Sequence, residues 1–201
     1  PTLKQSLVYF HFPKKEEETR LAEKRFAFDE MLLVQLKALQ MKALFETSQS
    51  HPLKLDQKTL QVFLSSLPFS LTQAQQKALT EILRDLNKAH PMNRLLNGDV
   101  GSGKTILAAI SALAALKSGC QVAILAPTEV LARQHYENLT KIFEPIGESI
   151  ALFTGSYRLL HGQNVTRKTM QGDLEKGIVQ MVVGTHALLS DDVYLHTIHL
   201  I

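Results

Sequence analysis

Gly98-Asp99-Val100-Gly101-Ser102-Gly103-Lys104-Thr105 fits the phosphate-binding pattern G-x-x-x-x-G-K-[ST] at every fixed position, and the rest of the chain is read outward from it. Glycines let the backbone turn tightly and bring its N–H groups against phosphate oxygens, where a Cβ would intrude. The pattern assigns Lys104 to the β- and γ-phosphates and the Thr105 hydroxyl to a Mg²⁺. Ile106 to Leu116 reads as a helix whose positive N-terminal end faces the same phosphates. A dinucleotide loop would need G-x-G-x-x-G, whereas Gly98, Gly101 and Gly103 are spaced G-x-x-G-x-G; that alternative fails on spacing.

At 201 residues, 45% of them hydrophobic, the chain suits one α/β domain or one and a half, with a real core. The net charge of +3 comes from 22 basic and 19 acidic residues mixed along the chain, which permits a polyanionic partner without demanding one. The single cysteine, Cys120, opens an apolar strand and reads as a small core side chain, which suits a reducing cytoplasm. No apolar run reaches the roughly 18 residues that span a bilayer, and no signal sequence is visible. The start at Pro1 reads as a cut or processed piece. The eight histidines form no H-E-x-x-H or Cys/His cluster; His196 and His199 lie three apart without further ligands nearby, so no metal is expected beyond the Mg²⁺ of a nucleotide.

Taken in order, Leu7 to Phe12 alternate as an extended arm or edge strand ended by Pro13. Glu16-Glu17-Glu18 then open a long helical pattern to about Glu46, with acidic residues where the helix dipole favours them. Its apolar residues from Phe26 to Leu39 cover more than one face, as in a helix packed on two sides. Asp56 to Ser66 reads as a short helix, and Thr72-x-x-Gln75 has the spacing of a capping box at the start of a helix to about Ala89. Arg94 to Asn97 reads as a short strand into the phosphate loop. Further strands are expected at Gln121–Ala126, Ser149–Phe153 and Ile178–Val183, with another beginning at Leu195. Helices are expected from Glu129 to Phe143 and, after a polar segment with Arg158, Arg167 and Lys168, to about Lys176.

This alternation predicts an α/β fold with a mostly parallel sheet, helices on both faces and right-handed crossovers. Ligands on such a sheet sit at the carboxyl ends of the strands. The phosphate loop and the turns at Thr128, Thr154 and Thr185 are expected along that edge. Thr128 and Ser156 could also each cap a following helix.

The turns choose among phosphate-loop proteins. Pro127-Thr128-Glu129-Val130-Leu131-Ala132-Arg133-Gln134, Thr154-Gly155-Ser156 and Gly184-Thr185-His186-Ala187-Leu188 resemble the motifs that follow the phosphate loop in superfamily 2 helicases. Leu67-Pro68-Phe69-x-Leu71-Thr72-x-x-Gln75, Met92-Asn93-Arg94-Leu95-Leu96 and the phosphate loop together resemble the RecG family of branched-DNA helicases. Arg20 to Leu36 resembles the helix that enters its motor domain. The transcription-repair coupling factor is the nearest alternative, but its loop typically carries Phe where this chain has Ser102. The resemblance runs from about residue 5 to the end and implies a RecA-like first motor lobe over residues 67–201, preceded by an arm and linker helices over residues 1–66.

Position by position, the resemblance implies that Phe69 and Gln75 contact the adenine of ATP. Gly98, Gly101, Ser102, Gly103, Lys104 and Thr105 hold the phosphates and Mg²⁺. Thr128, Arg133, Thr154, Ser156 and Thr185 face DNA, where short hydroxyls and backbone N–H groups grip phosphates without reading bases. It implies a parent that couples ATP hydrolysis to movement on branched double-stranded DNA, in fork reversal and branch migration during repair and recombination. In that family an Asp-Glu-x-His box lies just beyond the position of Ile201, and a DNA-binding wedge domain and a second motor lobe complete the protein. No strand of this chain ends in Asp-Glu, so the chain alone is expected to bind ATP without hydrolysing it. A nucleotide-dependent binding module without catalysis is the non-enzyme alternative.

Overall fold

The computed structural model describes residues 1–195 and 198–200. It divides into two compact units, Pro1–Ser48 and Gln49–Ile201.

In the first unit, α1 (Leu3–His11) and α2 (Glu16–Thr47) pack together. The extended arm expected near residues 7–12 is therefore a helix. Thr2 and Gln5 close a capping box, with the Thr2 N–H donating to Gln5 Oε1 at 2.9 Å. That local signal outweighs a six-residue alternation, which is too short to separate a strand from one face of a helix. Phe10 meets Phe26 edge-to-face at 5.7 Å between ring centroids, and Ser6 and Ala22 are fully buried.

The division falls after Ser48, ahead of the boundary expected at residue 66. Helix α3 (Gln57–Ser66), capped by Asp56, belongs to the second unit because Phe63 is buried there, 5.7 Å from the Phe143 ring. The strand-free stretch ahead of it is tied to α4 (Gln73–Leu86) by Leu53 N–H donating to the Leu86 carbonyl at 2.9 Å. Helix α5 (Lys104–Lys117) is buried along nearly its whole length, as an apolar helix in the middle of a domain must be.

Among the described residues six strands follow: β1 (Gln121–Leu125), β2 (Ile150–Phe153), β3 (Arg158–Leu160), β4 (Gln163–Asn164), β5 (Met181–Gly184) and β6 (Ile198–Leu200). They form one sheet in the order β4-β3-β2-β5-β1-β6, with α6 (Glu129–Phe143) between β1 and β2 and α7 (Arg167–Glu175) before β5. β2, β5, β1 and β6 are parallel neighbours, as expected. Period-two alternation sends Val122, Ile150, Leu152, Met181 and Val183 to the face covered by α3 to α6. Ala123, Ala151, Phe153 and Val182 go to the opposite face, with Met170 and Leu174 of α7.

Two strand expectations change. Arg94–Asn97 is not a strand among the described residues; β1 already has β5 and β6 on its two edges, leaving this segment no ladder beside it. It is held instead by Met92 and Leu96 against the core and by Arg94, which donates to Glu81 Oε2 at 2.8 Å and to Asp85 Oδ2 at 3.0 Å. The polar segment around Arg158, where no strand was expected, contains an antiparallel hairpin on β2. His161 (φ 51°) and Gly162 (φ 75°) make its two-residue turn, both in the left-handed region that matches strand twist. Ser156 therefore precedes a strand and caps no helix.

Candidate nucleotide and nucleic-acid site

Leu125 of β1 and Phe153 of β2 both pair in register with Gly184 of β5. The carboxyl ends of three strands are thus level, and the turns at Thr128, Thr154 and Thr185 leave from one edge. Helix α5 packs on β1 and precedes it by a short turn, so its N-terminus and the phosphate loop point to that same edge.

Within the loop, Gly101 (φ 82°) and Gly103 (φ 81°) are left-handed, a conformation that costs residues with a Cβ roughly 1–2 kcal/mol. Gly103 caps α5 without any side-chain hydrogen bond, which leaves first-turn N–H groups directed outward for an anion. A Cβ at Gly98 would lie 2.8 Å from Ser102 Oγ. Lys104 Nζ donates to the Gly98 carbonyl and, at 2.7 Å, to the Asp99 carbonyl. The ammonium thus stands across the loop mouth, and Thr105 is one residue on in the first turn of α5. First-turn N–H groups, an ammonium at the loop mouth and a hydroxyl make a donor set that fits a nucleotide triphosphate with Mg²⁺.

Gln75 performs two tasks. Its Oε1 accepts from the Thr72 N–H at 2.8 Å, closing the capping box, and its Nε2 donates to the Ser102 carbonyl at 2.8 Å. Any Cβ at Gly103 would strike that same amide. Phe69 is half-exposed and lines a separate groove with Gln61, Leu71, Gln76 and Leu79. Gln75 is therefore joined to the phosphate loop, whereas Phe69 lies in a groove between α3 and α4.

The expected nucleic-acid residues differ in how they present themselves. The Thr128 hydroxyl caps α6, accepting from the Leu131 N–H at 3.3 Å. Thr154 is fully buried and shapes a turn: its hydroxyl accepts from the Tyr157 N–H at 2.9 Å, and its own N–H donates to the Tyr157 carbonyl at 2.8 Å. Ser156 is exposed. Thr185 is partly exposed and extended ahead of the 3-10 turn His186–Leu189, with no cap bond from its side chain. Arg133 pairs with Glu137 at 3.1 Å, its guanidinium 5.8 Å from the Tyr157 ring centroid.

Sequence reading missed Glu129, taking it only as a residue of a helix start. Its Oε1 accepts from the Ser156 N–H at 2.8 Å, and that bond is the chief reason its carboxyl is held below the ordinary glutamate value. No sequence pattern joins residues 27 apart, so only the fold reveals the pair. Arg167, from the polar segment that also holds Arg158 and Lys168, is structural: it grips Asp192 through two guanidinium nitrogens at 3.1 and 2.9 Å and lies 5.3 Å from the Phe153 ring. The Ser190 hydroxyl, then Arg167 and Gln171, hold the Asp192 carboxyl down to about 2.

Among the described residues no group of three or more His, Cys, Asp and Glu is gathered for a metal, and no helix is long and apolar enough to cross a membrane. The expectation about His196 lies outside the described residues.

Known proteins resemble this chain over most of its length. The model of the DEAD/DEAH box helicase family matches residues 72–201. The ATP-dependent DNA helicase RecG of Aquifex aeolicus is 44% identical over 175 residues, covering 87% of this chain and 22% of the relative. RecG of Bacillus subtilis is 42% identical over 202 residues, covering 100% of this chain and 29% of the relative. A solved structure of RecG bound to a three-way DNA junction superposes with a TM-score of 0.80 at 35% identity, covering 97% of this chain and 26% of that one. The chain thus spans about a quarter of the length of these relatives. It belongs to the DEAD/DEAH box helicase family and is, within it, similar to RecG.

Proposed function

We propose that this chain is the nucleotide-binding and DNA-gripping part of an ATP-dependent translocase that acts on branched double-stranded DNA in repair and recombination. The observation that carries the reading is the Lys104 ammonium lying across a glycine loop whose helix has no side-chain cap. Both features lie on the strand edge that holds the turns at Thr128, Ser156 and Thr185. A polyphosphate exchanges with the Gly98 and Asp99 carbonyls for Lys104, while first-turn N–H groups and the Thr105 hydroxyl receive its oxygens and Mg²⁺. Bound Mg²⁺ supplies neutralisation of charge on the β- and γ-phosphates. Phe69 and Gln75 border the adenine, with Gln75 reporting to the loop through Ser102.

On the same edge Thr128, Arg133, Ser156 and Thr185 contact the phosphodiester backbone, with Thr154 shaping the turn that presents Ser156. Such contacts hold DNA without reading sequence. The similarity to RecG on a three-way junction supports a branched duplex as the partner. In the parent, a second motor lobe and a DNA-binding wedge domain complete the machine, and closure of two lobes around ATP shifts the grip along the duplex. A cytoplasmic location accords with the lone buried thiol of Cys120.

The chain itself binds nucleotide without turnover. None of the described strands is followed by an acidic pair, and Asp192 is already spent on Arg167. Absence of one preorganised group that stabilises developing charge costs about 10²- to 10³-fold in rate. Calorimetric titration with Mg-ATP of the chain and its Lys104→Ala variant, with phosphate release in parallel, tests this. Binding that depends on Lys104 and proceeds without phosphate release is expected. Equal binding by both proteins, or DNA-independent turnover, overturns it.

A further inference from the structure

We propose that Glu129 is a positioning residue for the DNA grip. Its carboxylate fixes the turn Thr154–Tyr157 to the first turn of α6, so that the loops after β1 and β2 meet a phosphodiester backbone as one rigid edge. This rests on the DNA-gripping part of the function proposed above. Three observations carry it.

First, the Thr154–Tyr157 turn is closed by its own bonds, between Thr154 N–H and the Tyr157 carbonyl at 2.8 Å and between Tyr157 N–H and the Thr154 hydroxyl at 2.9 Å. It needs no help to hold its shape, so an outside tie governs its placement. Second, Glu129 is that tie. Besides the 2.8 Å bond from Ser156 N–H, its carboxylate is favoured by the hydroxyls of Ser156 and Thr154 and by the Gly155 N–H. Gly155 is part of the fit, since a Cβ there would lie 3.1 Å from Glu129 Oε1. Third, Arg133, one helical turn after Glu129 and on the same side of α6, stands 5.8 Å from the centre of the Tyr157 ring. Helix α6 therefore holds the turn at two adjacent residues, through Ser156 and through Tyr157.

The charge argues in the same direction. A carboxylate set on an edge that meets a polyanion is repelled by it, and this one is turned onto backbone donors of its own chain. Ser156 N–H is consumed by Glu129 and unavailable to DNA; the exposed Ser156 side chain and Tyr157 ring are what the turn presents. Thr154, fully buried, acts through shape alone.

The test is binding of this chain to a fluorescent three-way duplex junction by anisotropy, for the wild type, Glu129→Ala, Glu129→Gln and Thr185→Ala, with melting curves and the NMR signal of the Ser156 amide. Glu129→Ala is expected to weaken binding about tenfold, because the freed turn must be ordered on binding at the cost of about one charge-assisted hydrogen bond, with its melting temperature lowered by only several degrees. Glu129→Gln keeps an acceptor oxygen and is expected to bind as the wild type does. The Ser156 amide shift should follow a carboxylate titration in the wild type and not in Glu129→Gln. This comparison tests the Glu129–Ser156 bond even where Glu129→Ala fails to fold. Undiminished binding by a folded Glu129→Ala while Thr185→Ala is weakened, or a Ser156 amide that ignores the titration, overturns the role of Glu129 and leaves the grip standing. No binding by the wild type overturns the grip itself and the inference with it.

Discussion

The side-chain amide of Gln75 joins two elements that the sequence separates by 27 residues: Nε2 donates to the Ser102 carbonyl at 2.8 Å while Oε1 accepts from the Thr72 N–H at 2.8 Å. The start of α4 and the phosphate loop are thereby one hydrogen-bonded unit. Glu is as good as Gln in a capping box, but an ionised carboxylate has no proton for Ser102. Gln75→Glu should therefore keep the melting temperature within a few degrees and reduce Mg-ATP affinity about tenfold or more by calorimetry, since two acceptors would face each other. Thr72→Ala should do the reverse, costing about 1 kcal/mol of stability through the lost cap and leaving Ser102 its donor. Chemical denaturation of both variants beside nucleotide titration separates the two tasks.

Gly184 ends β5 where the strand edge becomes the Thr185 turn. A methyl group there would collide with the Phe153 carbonyl across the ladder and lie 2.6 Å from Leu188 Cδ1. Backbone in a paired strand cannot yield cheaply, so Gly184→Ala should destabilise by about 1–3 kcal/mol or more. The control Gly172→Ala, with open space around the position, should be neutral or stabilising. Urea midpoints at constant slope would report both.

The hairpin turn holds a histidine at φ 51°, a region that Asn and Gly enter more readily. His161→Asn should raise stability by about 0.4–1 kcal/mol, and Gly162→Ala should lower it by a similar amount or more. Thermal melts of the two variants, moving in opposite directions, would confirm that β3 and β4 form this turn in solution.

Asp85 is bonded by Lys88 at 2.7 Å and by Arg94 at 3.0 Å, and these cations, Lys88 first, lower its carboxyl from 3.8 to about 2. A depressed folded-state value stabilises the fold above the unfolded value and ceases to do so as pH falls through the folded one. The contribution of this cluster should thus be complete above about pH 4 and disappear between about pH 4 and 2. The loss of stability over that window should be shallower in Asp85→Asn than in the wild type when denaturation is followed at each pH.

The phosphate loop was legible from the chain's residues, because its task depends on local backbone freedom and on one helix terminus, both written within eight consecutive residues. The parallel core of the sheet and nearly every helix of the second unit were legible for the same reason: apolar period, caps and glycines act over a few residues. Capping signals of equal strength stand at Thr2 and Gln5, and they decide the helix there against the short alternation that follows. Tertiary structure alone decided the rest. That Arg94 to Asn97 makes no strand depends on which elements occupy the edges of β1. That Thr154 is buried, and that Ser156 gives its N–H to Glu129, depends on the parallel register that brings the ends of β1, β2 and β5 level. Contacts between residues 27 apart, such as Gln75 with Ser102 and Glu129 with Ser156, leave no local pattern in a chain, because their partners are chosen by the path of the backbone through space.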